Sequence, residues 1–172
     1  MKSSCTFVRG ALERDPDHAW ANYFKGVVWA LGKHGFAIPA CEAAVTGDIP
    51  QGAELSSSAA YEVATVLLLQ TLAGFDLQAI EIAKLAREAE NGFVGVACGI
   101  MDQMASVFGE KGRAQLIDCR SLARVTVEMP SGRRQFSAPS VDNVAVASYS
   151  AIITGMPLSM YFVFMLSNSL VT

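Results

Sequence analysis

Hydrophobic positions recur at helical spacing in four segments of the chain, and this pattern predicts four helices. The first segment follows Asp15-Pro16-Asp17, a helix start signal, and should end near Gly32. The second is apolar on nearly all sides and should be buried, whereas the third has one apolar face and should lie on the surface of a core. The predicted helices are Trp20 to Leu31, Ser57 to Leu72, Leu77 to Glu90 and Ile100 to Phe108.

Shorter apolar or alternating runs predict strands between and after these helices. In one of them Val125 and Val127 alternate with polar residues, which is typical of a strand with one covered face. With the helices, these runs predict a single α/β unit without internal repeats. The strand candidates are Phe36 to Val45, Ala114 to Cys119, Ala123 to Pro130 and Val144 to Ile153.

The composition supports a globular chain and argues against several kinds of partner. The 172 residues are 52% hydrophobic, which is enough to supply a sizeable core. The net charge of −3 comes from scattered residues without a basic patch, so nucleic acid is not expected as a partner. The four cysteines are far apart and show no zinc-ligand spacing with His18 or His34, which predicts reduced thiols. No apolar run of signal-peptide length follows the N-terminus, and we expect a cytoplasmic monomer.

The end of the chain differs from the rest in charge. After Asp142 the sequence has no Asp, Glu, Lys or Arg. Three interpretations remain open for this segment. It is a membrane helix over Ala151 to Leu166, a tail not shaped for this fold, or a pair of core strands. The interruption by Gly155-Met156-Pro157 and the lack of flanking positive charge argue against the membrane helix.

A serine-rich turn provides the first candidate for chemistry. The stretch GDIPQGAELSSSAAYEVA, from Gly47 to Ala64, leads small residues into the start of the second predicted helix. The first N–H groups of a helix are unpaired and lie at the positive end of its dipole, so such a turn can bind phosphate. Hydroxyls of Ser56, Ser57 and Ser58 could add hydrogen bonds or a ligand to Mg²⁺. The alternative is an ordinary serine N-cap.

Other phosphate-binding and nucleophile motifs are absent from the sequence. It contains no GxxxxGK[ST] loop and no GxGxxG, so neither a Walker-type nucleotide site nor a Rossmann site is supported. It also lacks a GxSxG elbow, and only His18 and His34 could serve as bases for a serine nucleophile. A serine hydrolase is therefore not supported.

Two carboxylates are candidates to act with the serine turn. Glu90 ends the third predicted helix on the edge of its apolar face, where a carboxylate would favour a cation; the alternative is a solvated helix-end glutamate. Asp102 lies in the first turn after Gly99, opposite the apolar face. It is either an acid stabilised by the helix N-terminus or an acceptor pointing out of a glycine-lined turn. Together these groups would suit phosphoryl transfer, in which positioning and charge neutralisation dominate.

Three segments in their order along the chain resemble the galactokinases of the GHMP small-molecule kinase family. They are GDIPQGAELSSSAAYEVA, then EAENGFVGVACGIMDQMAS at Glu88 to Ser106, and then AQLIDCRSL at Ala114 to Leu122. The helix WANYFKGVVWAL looks like the one that precedes the nucleotide loop in that family, so the resemblance covers about Trp20 to Pro130. The GIMDQ and IDCRSL elements separate galactokinases from mevalonate and homoserine kinases.

The resemblance implies an α/β (α+β) fold, namely a partial GHMP-kinase N-terminal domain, similar to ribosomal protein S5 domain 2, with a mixed sheet packed against helices. It also implies transfer of the γ-phosphate of ATP to the anomeric hydroxyl of galactose, giving galactose 1-phosphate. By resemblance, Ser58 and Glu90 would bind Mg²⁺, Asp102 would orient or deprotonate the sugar hydroxyl, and Gly99 would lie against the sugar. The loop around the ATP phosphates would comprise Gly52, Ala53, Glu54, Leu55, Ser56, Ser57 and Ser58.

The sequence departs from the family pattern in several places. It contains no segment like GRVNLIGEHTDY, no YN-x-R sugar contact and no glycine-rich third motif, so the chain resembles the middle of a protein about twice its length. We expect a partial domain over residues 1–147 and an apolar tail over residues 148–172. Two alternatives to an active kinase remain: a catalytically silent nucleotide- or sugar-binding module, and a non-functional fragment.

Glu54 is a departure inside the phosphate loop itself. The family has GAGLSSSA where this chain has GAELSSSA. A carboxylate about 4 Å from a phosphate charge would repel it by roughly 4 kcal/mol at an effective dielectric of 20. Glu54 is therefore expected to weaken ATP binding.

Overall fold

The computed structural model describes residues 3–47, 56–110 and 113–128, together with the backbone of the strands at 144–147 and 160–165. Four α-helices lie where hydrophobic spacing predicts them. A π-helical turn, Ala89–Val94, continues the third helix, which was predicted to end at Glu90. The helices are α1 (Ala19–Lys33), α2 (Ser57–Ala73), α3 (Ala79–Glu88) and α4 (Met101–Phe108).

Local polar contacts explain where the helices begin and end. Before α1, the Asp15 carboxylate accepts hydrogen bonds from the backbone N–H groups of Asp17 and His18, at 2.9 and 3.1 Å. At the start of α3, the backbone N–H of Gln78 donates to the Glu81 carboxylate at 2.8 Å, half of a capping box. Helix α2, predicted to end at Leu72, ends at Ala73 before Gly74, whose φ of +74° suits glycine.

The core lies between the helices and extends to one strand. Side chains of α1, α2 and α3 form its larger part, around Leu31 and Leu69, which have no exposed surface. A smaller cluster joins α3 and α4 to the strand that carries Ile117. Each fully buried aliphatic side chain contributes about 1.5–3 kcal/mol to stability. The helices that carry the candidate site residues are thus held by apolar packing.

Five described strands form two small sheets, and every described pairing is antiparallel, whereas the resemblance implied a mixed sheet. One sheet has the order β1-β5 and the other β3-β2-β4. In the second, Gln115 and Ile117 are buried while Leu116 is exposed, the alternation expected of a half-covered strand. The strands are β1 (Glu42–Gly47), β2 (Arg113–Asp118), β3 (Arg124–Glu128), β4 (Val144–Ala147) and β5 (Met160–Met165).

The strand predicted over Phe36 to Val45 forms only at its C-terminal end. Phe36 packs instead against Phe75, with ring centroids 4.3 Å apart, and Ile38 is buried. Pro39 has no N–H to donate to a ladder. The α+β class is confirmed, and tertiary packing rather than pairing determines this segment.

The uncharged end of the chain contains a described strand. Residues 160–165 form β5, which pairs with β1, so these residues are not helical as a membrane helix over 151–166 would require. In the part of the chain that the structure describes, no helix is long and apolar enough to cross a membrane. The strand predicted over Val144 to Ile153 is present as β4 at its start, and its remaining residues lie outside the described ranges. The division into residues 1–147 and 148–172 stays a prediction.

Candidate functional site

The first part of the candidate site is the start of α2. Ser56 occupies the N-cap position with a φ of +51°, and no side-chain hydrogen bond from the described residues caps the helix. Ser56 is thus not an ordinary serine N-cap, whose hydroxyl would accept a backbone N–H. The first turn contains no acidic residue to offset the positive end of the helix dipole. The remaining loop residues, Gly52 to Leu55 and with them Glu54, lie outside the described residues.

The second part is the carboxylate of Glu90 in the π-helical turn. Its residue is only 4% exposed, so the prediction that it points inward is confirmed and the alternative of a solvated helix-end glutamate is wrong. Its Oε2 accepts a hydrogen bond from Gln103 Nε2 at 2.8 Å and another from the Cys98 thiol at 3.2 Å. In the described part of the chain no Lys or Arg forms an ion pair with Glu90. Among the described residues, this buried carboxylate therefore has hydrogen bonds but no positively charged partner.

The structure adds a carboxylate that the sequence reasoning missed, Glu62 on α2. Its side chain has no exposed surface, and neither of its oxygens has a hydrogen bond of good geometry with a described residue. Burial and the charge of Glu90 raise the pKa of Glu62 to about 9, although the nearby Gln103 amide lowers it somewhat. Glu62 lies four residues after Ser58, so the two share one face of α2. This spacing was the signal in the sequence that could have identified it.

Cys98 connects the loop before α4 to the π-helical turn. Its backbone N–H donates to the Asn91 side chain at 2.9 Å, and Asn91 donates back to the Cys98 carbonyl at 3.2 Å. Burial, with the hydrogen bond to Glu90 and the charge of that carboxylate, raises the pKa of the Cys98 thiol to about 12. The thiol therefore stays protonated near neutral pH and acts as a donor to Glu90.

Gly99 and Asp102 follow at the start of α4. Gly99 is exposed, and a Cβ added to it would meet no atom within 4 Å, so there is open space beside this residue. Asp102 is half-buried in the first turn of α4, as predicted. The next residue, Gln103, is fully buried and points to Glu90. The helix that carries Asp102 is thus fixed to the buried carboxylate.

These residues can be tested for their fit to Mg²⁺, which the resemblance implies. Two buried acids, Glu62 and Glu90, lie close enough for the charge of one to raise the pKa of the other. The Oε1 atom of Gln103 and both oxygens of Glu62 are buried and have no hydrogen bond of good geometry with a described residue. Such oxygens are the ligands that Mg²⁺ and its bound waters prefer. The donor set fits a hard divalent cation.

A separate cluster near the start of α1 brings together Cys5, Asp15 and His18, with their ligand atoms within 4.8 Å of one another. Their spacing in the sequence did not indicate this. Asp15 Oδ2 is 3.0 Å from His18 Nδ1 and 3.7 Å from the ammonium group of Lys25. Lys25 already places a positive charge beside the Asp15 carboxylate, and this carboxylate also accepts the backbone hydrogen bonds that precede α1.

Comparison with known proteins identifies the family of the chain. Residues 22–110, more than half of the chain, match the family described as GHMP kinases N terminal domain. The chain therefore belongs to the GHMP kinase family and contains part of its N-terminal domain.

Within that family the similarity is to galactokinases. The chain is 47% identical over 119 residues to a galactokinase of Roseiflexus sp. (strain RS-1), a match that covers 69% of this chain and 30% of that protein. It also resembles the crystal structure of Lactococcus lactis galactokinase complexed with galactose, with a TM-score of 0.57 and 31% identity, over 66% of this chain and 31% of that one. The chain thus spans about a third of the length of these relatives.

Proposed function

We propose that this chain provides the Mg²⁺·ATP site and part of the sugar site of a galactokinase-type phosphotransferase, which converts galactose and ATP to galactose 1-phosphate and ADP. The observation that carries the proposal is the hydrogen bond of 2.8 Å between Gln103 and Glu90. It joins the helix of the candidate base, Asp102, to the buried carboxylate proposed to bind the metal. The similarity to galactokinases supports galactose as the acceptor.

In this proposal the start of α2 binds the phosphates of ATP. Its unpaired N–H groups and the positive end of its dipole attract phosphate oxygens, and no acid in its first turn opposes them. The hydroxyl of Ser58 and the carboxylate of Glu90 hold Mg²⁺. When bound, the ion neutralises charge that develops on the transferring phosphoryl group.

The acceptor lies on the side of α4. Asp102 accepts the proton of the anomeric hydroxyl, or orients it, and Gly99 lets the sugar approach because its Cβ position is open. Gln103 acts as a positioning residue, since its amide holds Glu90 while its backbone continues from Asp102. Phosphoryl transfer requires mainly such positioning and charge neutralisation.

The second candidate function is a nucleotide- or sugar-binding module without turnover. The observation that favours it is Glu54, a carboxylate within the phosphate loop where galactokinases have glycine. A negative charge there opposes the phosphates of ATP. The two functions differ in turnover, and both require ligand binding.

A coupled assay of galactose phosphorylation tests the proposal, with Asp102→Asn as the informative variant. The purified chain should form galactose 1-phosphate from MgATP, and the variant should lose about 10²–10⁴-fold in rate, the usual contribution of a positioned acid or base. Ser106→Ala, a small change on the same helix, serves as the control and should retain the rate. Turnover that survives in Asp102→Asn would remove Asp102 from the mechanism, and ligand binding without any turnover would favour the silent module.

A further inference from the structure

We propose that Glu62 is a further residue of the divalent-cation site, where its carboxylate binds the ion or one of its coordinated waters together with Glu90. The inference rests on the proposed function, because it assumes that Ser58 and Glu90 hold Mg²⁺. It adds a residue to that site which neither the family resemblance nor the similarity to known galactokinases assigns.

Burial is the first argument. Glu62 has no exposed surface, and neither of its oxygens has a hydrogen bond of good geometry with a described residue, although the Gln103 side chain is near enough to interact with them. A buried acid normally has several such partners, because removing its oxygens from water without replacing their hydrogen bonds is costly. Glu90, in contrast, accepts hydrogen bonds from both Gln103 and Cys98. The Gln103 side chain alone satisfies the oxygens of Glu62 poorly, and a cation or its bound water can supply the missing contacts.

Position is the second argument. Glu62 lies one helical turn after Ser58 on the same face of α2, so the two side chains are neighbours. Helix α2 also packs against α4, whose Gln103 donates to Glu90 at 2.8 Å, and this packing brings the Glu62 carboxyl group near both residues. The proposed ligands, Ser58 and Glu90, therefore both have Glu62 as a neighbour, although they come from different elements of the fold.

Charge is the third argument. Glu62 and Glu90 are two acids buried in the same region, and in the described part of the chain neither forms an ion pair with Lys, Arg or His. A positive countercharge would stabilise both carboxylates in their ionised form out of water. The unpartnered Oε1 of Gln103 adds one more acceptor to the same cluster. A hard divalent cation with bound waters satisfies all of these oxygens at once.

Binding of Mn²⁺, an electron-paramagnetic substitute for Mg²⁺, tests the inference without any measurement of activity. Free Mn²⁺ is followed by its resonance signal during titration of the wild-type chain and of Glu62→Gln, which keeps the size of the side chain but cannot ionise. The variant should bind Mn²⁺ about 10–100-fold more weakly, the usual cost of changing a residue that supports a metal ligand. Glu128→Gln is the matched control, since that side chain is 88% exposed, and should bind like the wild type.

Thermal unfolding with and without Mn²⁺ separates metal binding from a merely structural role. Mn²⁺ should raise the melting temperature of the wild type and raise that of Glu62→Gln clearly less. If Glu62 were only a structural buried acid, the substitution would shift the melting temperature equally with and without the ion. A second variant, Glu62→Asp, keeps a carboxylate on a shorter side chain and should bind Mn²⁺ with intermediate affinity, provided circular dichroism shows the folded helix content.

The outcomes distinguish this inference from the proposed function. Equal Mn²⁺ affinity in the wild type and in folded Glu62→Gln or Glu62→Asp would overturn the role of Glu62 while the proposed function stands. A folded wild-type chain that binds no Mn²⁺, even with ATP present, would overturn the metal site of the proposed function and the inference with it.

Discussion

Replacing Glu62 by glutamine should change how the stability of the metal-free protein depends on pH. The carboxyl group is fully buried, and burial together with the charge of Glu90 raises its pKa from 4.5 to about 9. Below pH 4.5 the group is neutral in the folded and in the unfolded protein. As the pH rises above 4.5, only the unfolded form ionises, so the folded state loses stability until the folded group ionises near pH 9.

The size of the effect follows from this pKa difference. At 1.36 kcal/mol for each pH unit, the range from 4.5 to about 9 corresponds to roughly 6 kcal/mol. This is an upper value, because entry of water or of a cation lowers the cost of ionising the buried group. It is still comparable with the whole stability of a small domain, about 5–15 kcal/mol. Glutamine cannot ionise, so the variant should gain on the wild type as the pH rises.

Urea unfolding in the presence of EDTA, followed by tryptophan fluorescence, measures this difference. Trp29 is a suitable probe because it packs near Phe93 in the π-helical turn, with ring centroids 6.2 Å apart. Between pH 5 and pH 8 the stability of Glu62→Gln relative to the wild type should increase by up to roughly 4 kcal/mol. Glu128→Gln should show no such trend. If the stability difference between Glu62→Gln and wild type stays constant over this pH range, the pKa of Glu62 is not raised in the folded protein.

Three further substitutions test other parts of the account. Gly99→Ala should leave the melting temperature unchanged, because the added Cβ meets no atom within 4 Å. It should weaken galactose binding in a calorimetric titration, and an unchanged affinity would show that the sugar does not lie against Gly99. Gly26→Leu should lower the free energy of unfolding in urea by about 1–3 kcal/mol, since a Cβ there already lies 3.1 Å from the Ala89 carbonyl oxygen. Gly32→Leu on the same helix should not lower it in this way, because a Cβ there meets no atom within 4 Å. Equal losses for the two would contradict the packing of α1 on the π-helical turn. Glu54→Gly should tighten ATP binding about tenfold or more, and unchanged or weaker binding would count against the phosphate loop.

The helices could be predicted because each depends on a local pattern. Hydrophobic spacing places α1, α2 and α4 within two residues of their observed ends, and Gly74 marks the end of α2. The same spacing could not predict the π-helical turn, because apolar periodicity does not distinguish hydrogen bonds to the fourth residue from those to the fifth. The beginning of β1 was missed because contacts between Phe36 and Phe75, distant in sequence, determine that segment.

The candidate site was predictable in part. The inward direction of Glu90 follows from its position on the apolar face of a helix, and the place of Asp102 in a first helical turn follows from the glycine before it. Glu62 was overlooked because its four-residue spacing from Ser58 places the two on one helix face but does not show that a second acid lies nearby. Its significance comes from Glu90 and Gln103, which lie on two other elements and approach it only in the folded chain.

A calorimetric titration of the folded chain with ATP, in Mg²⁺ and in EDTA, tests the central claim most directly. One ATP should bind to each chain in the presence of Mg²⁺, with clearly weaker binding in EDTA and in Glu90→Gln, whose amide is a poorer ligand for a hard cation. A folded chain that binds no ATP, or binds it equally with and without Mg²⁺ and with Glu90 replaced, would contradict the claim that α2 and Glu90 form a metal-nucleotide site.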